Sequence, residues 1–293
     1  MNHSFGSGWK ILFAGLVALL LLGACGDDDD EPGNAGGDTE APARPIAVTI
    51  STHDFKFDAP ESISAGLVEI VVSNRGKEAH EVQLMKLHEG VTFDEFFKTA
   101  KKDDSGLDSI ALADPAGGVG STAGIPPGYD LSVTNELDPG SYALVCFVHG
   151  HNEKGMIAPF EVTESDAAAA EPPDVDGQIS LSDYEIILPD DFSGSGTFEF
   201  VNNGPDFHEV AIYKLDASLE EAQKYLDSPK AFDAPPPGGE PQSAGLVSGI
   251  QPATSAFATL DLDPGTYVMV CFFPDEEGTP HAFHGMYTAF EVP

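Results

Sequence analysis

The sequence predicts an all-β fold: two antiparallel Greek-key β-sandwiches in tandem, each carrying a helix-containing insertion. Residues 137–162 (LDPGSYALVCFVHGHNEKGMIAPFEV) are written again at 262–292 (LDPGTYVMVCFFPDEEGTPHAFHGMYTAFEV). The repeat extends upstream, with NRGKEAHEVQLMKL at 74–87 against NNGPDFHEVAIYKL at 202–215, and with Asp54-Phe55 and Pro60 against Asp183-Tyr184 and Pro189. Between Gly and Pro turns, the segments are short and rich in β-branched and aromatic residues, the pattern of buried or half-buried strands. A unit this long, present twice, implies tandem domains and not a solenoid.

At the N-terminus, Lys10 precedes an apolar run from Ile11 to Leu22, the length of an export-signal core and short for a bilayer span. Leu22-Gly23-Ala24-Cys25 resembles a bacterial lipobox, in which the Cys is acylated and heads the mature chain; the alternative is an ordinary secretory signal. Residues 1–24 are thus expected to be a signal peptide and Cys25 a lipid anchor. Residues 25–45, acidic and rich in Gly and Pro, are expected to form a disordered tether. The expected location is the extracytoplasmic face of a bacterial membrane, in the periplasm or at the cell surface.

The first domain spans 46–163, a linker spans 164–175 within TESDAAAAEPPDV, and the second domain spans 176–293. Strands are expected at IAVTI, LVEIVVS, EVQLMKL, YDLSVTNE, YALVCFV and IAPFEV, and in the second copy at TFEFVN, EVAIYKL, AFATLDL, YVMVCFF and YTAFEV. Asp138-Pro139-Gly140 and Asp263-Pro264-Gly265 are turns, with Pro setting one dihedral and Gly supplying the left-handed one. TFDEFFKTAKK at 92–102 and SLEEAQKYL at 218–226 are helical. Phe93, Phe96 and Phe97, or Leu219, Ala222 and Leu226, share a face that is expected to cover an open end of the sandwich.

The 49 acidic and 13 basic residues give a formal charge of −36, which argues against nucleic-acid binding through phosphates and points to cations or a basic redox partner. The same charge serves solubility. Beyond Cys25, only Cys146 and Cys271 remain. Equivalent positions in two separate repeats are poor candidates for one disulfide.

Each copy brings a His, then Cys, His and Met: His80, Cys146, His151 and Met156 in the first, His208, Cys271, His281 and Met286 in the second. Thiolate, imidazole and thioether form a soft set that suits copper better than magnesium, calcium or structural zinc. His53, His88 and His149 correspond to Ser182, Asp216 and Pro274 and are read as non-ligands, with His149 close enough to sit beside the site. In the second copy nine residues separate Cys271 from His281, against four in the first; His281 keeps the four-residue spacing to Met286, and His284 competes with it.

These residues resemble two fused cupredoxins, the blue-copper domains, and Cys146-x4-His151-x4-Met156 is similar to the rusticyanin and auracyanin branches. The resemblance implies one type 1 copper per domain, with the Met as a weak axial ligand and the exposed edges of His151 and His281 as electron ports. Many family members place Asn, Ser or Thr after the first His, where this chain has Glu81 and Glu209. An ionised carboxylate cannot donate a hydrogen bond, so donors to the sulfur must be backbone N–H groups. Strand alternation permits both glutamates to face solvent.

Multicopper oxidases need His-x-His pairs and a His-Cys-His segment, and copper nitrite reductases a His before the Cys. Here Val145 and Val270 precede the cysteines, and His149-Gly150-His151 has no counterpart in the second copy. The sequence therefore favours a membrane-anchored one-electron carrier over an enzyme. A copper storage or delivery protein and a metal-free degenerate binding module are the alternatives. The oligomeric state is open.

Overall fold

The computed structural model describes residues 43–102, 113–119, 124–229, 231–232 and 234–293. The expected signal peptide, Cys25 and most of the tether lie outside them. Among the described residues no helix is long and apolar enough to cross a membrane.

The first half contains β1 (Ile46–His53), β2 (Lys56–Asp58), β3 (Ser62–Ser64), β4 (Gly66–Asn74), β5 (Val82–Leu87), α1 (Phe93–Ala100), β6 (Ala113–Val119), β7 (Asp130–Leu137), β8 (Gly140–Val145) and β9 (Ile157–Thr163). The second contains β10 (Gly177–Ser182), β11 (Glu185–Ile187), β12 (Ser195–Asn202), β13 (His208–Leu215), α2 (Leu219–Leu226), β14 (Gln242–Ile250), β15 (Ser255–Asp261), β16 (Gly265–Val270), a short 3₁₀ turn (His281–His284) and β17 (Tyr287–Val292). The fold is all-β, two sandwich halves with a helical insertion in each. Between β9 and β10 the chain forms no helix or strand.

Each half contributes to both layers. One sheet runs β11-β10-β12-β15-β7-β4-β1-β2 and the other β17-β16-β13-β14-β6-β5-β8-β9-β3. Alternation sets the facing residues: on β8, Tyr142 and Leu144 enter the sandwich interior with Ile50, Ile70 and Phe160, whereas Ala143 and Val145 lie on the outer face.

That outer face seats the helix. Phe96 and Ala100 of α1 pack with Met85, Ala143, Val145 and Ile157, and Ala222 and Leu226 of α2 with Ala211, Val268 and Val270. The helices therefore cover a sheet face and not an open end, because the outward residues of the middle strands are themselves apolar and need a cover. Full burial of Phe96 contributes about 2–3 kcal/mol. Both helices begin with a reciprocal capping box, Thr92 with Glu95 and Ser218 with Glu221, which satisfies N–H groups left free at a helix start.

The halves join edge to edge, each strand against its own counterpart. β6 pairs antiparallel with β14 and β7 with β15. Val119 and Val247, which face Val82 and Val210 in their own halves, face each other. Val133 and Ala258, opposite Ile70 and Phe198, do the same in the second sheet. The join is a pseudo-two-fold, the isologous geometry of a symmetric dimer within one chain.

Candidate metal centres

The first histidine of each set sits at the end of a loop after β4 or β12, and a buried Asn holds that loop. Asn74 Nδ2 donates to the carbonyls of Glu78 (2.8 Å) and Ile125 (2.7 Å), and its Oδ1 accepts from the Gly76 N–H (2.8 Å). Asn202 repeats this with Asp206 (2.7 Å), Ile250 (2.9 Å) and Gly204 (2.9 Å). One amide thus binds three backbone groups and ties the turn to the opposite segment, where the Ile125 carbonyl also accepts from the His80 N–H (3.2 Å).

The other donors come from the loop that follows β8 or β16. Cys146 N–H donates to the Met156 carbonyl (3.2 Å) and Met156 N–H to that of His151 (3.0 Å); the same bonds link Cys271 to Met286 (3.0 Å) and Met286 to His281 (3.1 Å). The extra residues of the second loop fold into their own turn, in which Asp275 Oδ1 accepts from the N–H groups of Glu277 (3.0 Å) and Thr279 (2.8 Å). The insertion is thereby absorbed before His281.

The structure brings His80, Cys146 and His151 together, and likewise His208, Cys271 and His281, with donor atoms within 4.8 Å of one another in each triad. In the first, His80 Nδ1 lies 3.1 Å from His151 Nδ1, which lies 3.4 Å from Cys146 Sγ. In the second, the two Nδ1 atoms are 3.2 Å apart, and Cys271 Sγ is 4.0 Å from His208 and 3.6 Å from His281. A point equidistant from those three atoms lies about 2.1 Å from each, within the length of metal bonds to imidazole and thiolate, roughly 2.0–2.3 Å. The donor set fits a single ion. Met156 and Met286 are fully buried at the end of the same loops. His284 is outside the triad, with its Nε2 2.8 Å from Asp275 Oδ2.

Burial prepares these groups. It lowers the pKa of His80 and His151, and that of His208 to about 4, which keeps the imidazoles neutral and able to bind. It pushes the Cys146 thiol up to about 12, with the nearby Glu81 adding to it, and raises Cys271 likewise. Burial thus favours the neutral thiol until a cation compensates the thiolate charge. Backbone N–H groups face each sulfur, those of Glu81 and Val148 at Cys146 and of Glu209 and Phe273 at Cys271.

Glu81 and Glu209 do not face solvent; both are buried. Glu81 Oε1 accepts from the Phe147 N–H (2.9 Å), Glu209 Oε1 from that of Phe272 (3.2 Å), and Ser248 Oγ donates to Glu209 Oε2 (3.0 Å). Each glutamate clamps the residue after the Cys while its own N–H reaches the sulfur. Burial raises the pKa of both, Glu81 to about 8.

The expected ports are also covered, with His151 2% and His281 0% exposed. Phe55 meets His151 edge-on at 5.2 Å and Tyr184 meets His281 at 5.3 Å. Both aromatics have φ +64°, a left-handed conformation set by the two-residue turns that close the β1–β2 and β10–β11 hairpins. His53, His88 and His149 belong to neither triad; His149 is exposed. Sequence reasoning did not single out Asn74, Asn202 or the two lid aromatics as site residues. Their signal was recurrence at matching repeat positions.

No protein-family model matches the chain, and no curated protein matches it. Among solved structures, it is similar to dithionite-reduced auracyanin from the photosynthetic bacterium Roseiflexus castenholzii (TM-score 0.30, 16% identity, 41% of this chain and 99% of that one). It is also similar to rusticyanin from Thiobacillus ferrooxidans (TM-score 0.29, 16% identity, 41% and 79%). A multicopper oxidase aligns over more of the chain (TM-score 0.23, 14% identity, 86% and 89%).

Proposed function

We propose that the protein is a copper-binding one-electron carrier with one type 1 centre per half, exported and held at a membrane by a lipid on Cys25. The observation that carries this reading is the repeated triad: two imidazole nitrogens and one thiolate sulfur converge to a size that fits one ion, twice, from matching strands. Copper in such a site would supply a Cu(II)/Cu(I) couple.

The chain's own residues do the rest. His80, Cys146 and His151, and His208, Cys271 and His281, would hold the ion, and the buried Met156 and Met286 of the same loops would offer it a thioether. Glu81 and Glu209 fix the Cys loops, so that little moves when an electron passes. Phe55 and Tyr184 exclude water from the imidazoles. Burial of every donor supports retention of the ion over its delivery to a chelator.

Metal analysis with visible and paramagnetic resonance spectra tests the proposal. Wild type is expected to bind two coppers with intense thiolate-to-copper absorption, Cys146→Ala and Cys271→Ala one each, and the double variant none. A colourless wild type after Cu(II) loading would end the carrier reading.

A further inference from the structure

The two centres share their donors and differ in what surrounds them. At the first, His151 Nε2 lies 3.1 Å from Glu78 Oε2, and Lys154 Nζ lies 3.9 Å from that same oxygen. The Lys154 ammonium also stands 3.9 Å from the centroid of the Phe55 ring. The segments that carry the donors and the lid hold Asp54, Glu78 and Glu153 against Lys56, Arg75, Lys77 and Lys154. The first centre is closed by a salt-bridged, cation-capped cover.

At the second centre the equivalent cover is missing its bases. Pro205 replaces Lys77, Glu185 replaces Lys56, and the matching segments hold Asp183, Glu185, Asp206, Asp275, Glu276 and Glu277 with no Lys or Arg. His281 Nε2, on the side of the ring away from the triad, is buried and finds no hydrogen-bond partner among the described residues. Around it are Tyr184, packed between His281 and His284, and Phe273, which stacks on Phe207; Phe283 of the same 3₁₀ turn, against Phe232, is 52% exposed.

Resting on the carrier reading of both triads, we propose that the pole around His281 is the docking surface for a positively charged electron-transfer protein, and that the pole around His151 is not. An aromatic centre with an acidic rim matches an apolar patch ringed by lysines, and its charge selects the partner and speeds encounter. Cationic side chains of the partner find aromatic faces as well as carboxylates. At the other pole, Lys77 and Lys154 oppose the same approach.

Titration of the isotope-labelled, copper-free chain with reduced cytochrome c, a basic haem protein, maps the surface by amide shifts. The expected shifts centre on Tyr184, Phe273 and Phe283, with Phe55, Lys77 and Lys154 unmoved. Glu276→Gln combined with Glu277→Gln, both on an exposed turn, is expected to weaken binding about fivefold in low salt. Shifts spread evenly over the surface or centred on the first pole, or an unchanged affinity in the double variant, would overturn the proposal. Because copper is absent from this measurement, the two readings separate: a chain that never binds copper loses its carrier role and keeps this surface, whereas misplaced shifts remove the surface alone.

Discussion

At Gly76 an added Cβ would stand 2.7 Å from Asp54 Oδ1 and 2.7 Å from His80 Nε2; at Gly204 it would stand 2.8 Å from Asp183 Oδ1 and 2.9 Å from His208 Nε2. A side chain at either position must displace an imidazole of the triad or the carboxylate beside it. Gly76→Ala is therefore expected to remove or shift the first centre's share of the visible band and leave the second's, and Gly204→Ala the reverse, as read by absorption after copper loading. Asn74→Ala removes the side-chain partner of the Glu78 carbonyl and the Gly76 N–H and one of the two donors to the Ile125 carbonyl, and urea denaturation should show a loss of about 1–3 kcal/mol. The soft donors are visible in the sequence because their chemistry is rare and repeats. Burial of Glu81 and Glu209 was not legible, because a strand position alone does not say which face another element covers.

The helices were legible for a local reason, since a cap and an apolar stripe lie within one short segment; the surface they cover depends on distant strands. Thr92→Ala and Ser218→Ala are each expected to cost about 1 kcal/mol, and, with the helices in separate halves, to add in the double variant. Both should unfold at lower urea with an unchanged slope. The hydrogen bonds from Thr92 and Ser218 hold the Glu95 and Glu221 pKa values below the usual glutamate range. A carboxylate depressed on folding stabilises the protein above its unfolded pKa, and that contribution fades as the pH falls through the folded one. The cost of each cap substitution should accordingly shrink on acidification below the ordinary glutamate pKa. A cost that grows there would refute the capping account.

The strands that join the halves are those that local sequence hides best. ADPAGGV and QSAGLVSGI carry Pro and several Gly, residues that weaken a strand assignment, yet they form β6 and β14. Proximity requires glycine at the join itself: a Cβ on Gly249, whose φ is +68°, would stand 2.6 Å from the Gly117 backbone nitrogen. Residues that read as loop are thus what lets two sheet edges merge. Because both sheets are continuous across the join, neither half can lose its strands without exposing the unpaired edge of the other. The whole molecule is therefore expected to unfold in one cooperative calorimetric transition and not in two. Copper held only by the first centre, in Cys271→Ala, should raise the stability of that single transition by about 2.7 kcal/mol when free copper is a hundredfold above its dissociation constant. Aromatic circular dichroism from both halves should follow the same shifted curve. Two resolved transitions, with only one moved by copper, would show that the shared sheets do not couple the halves.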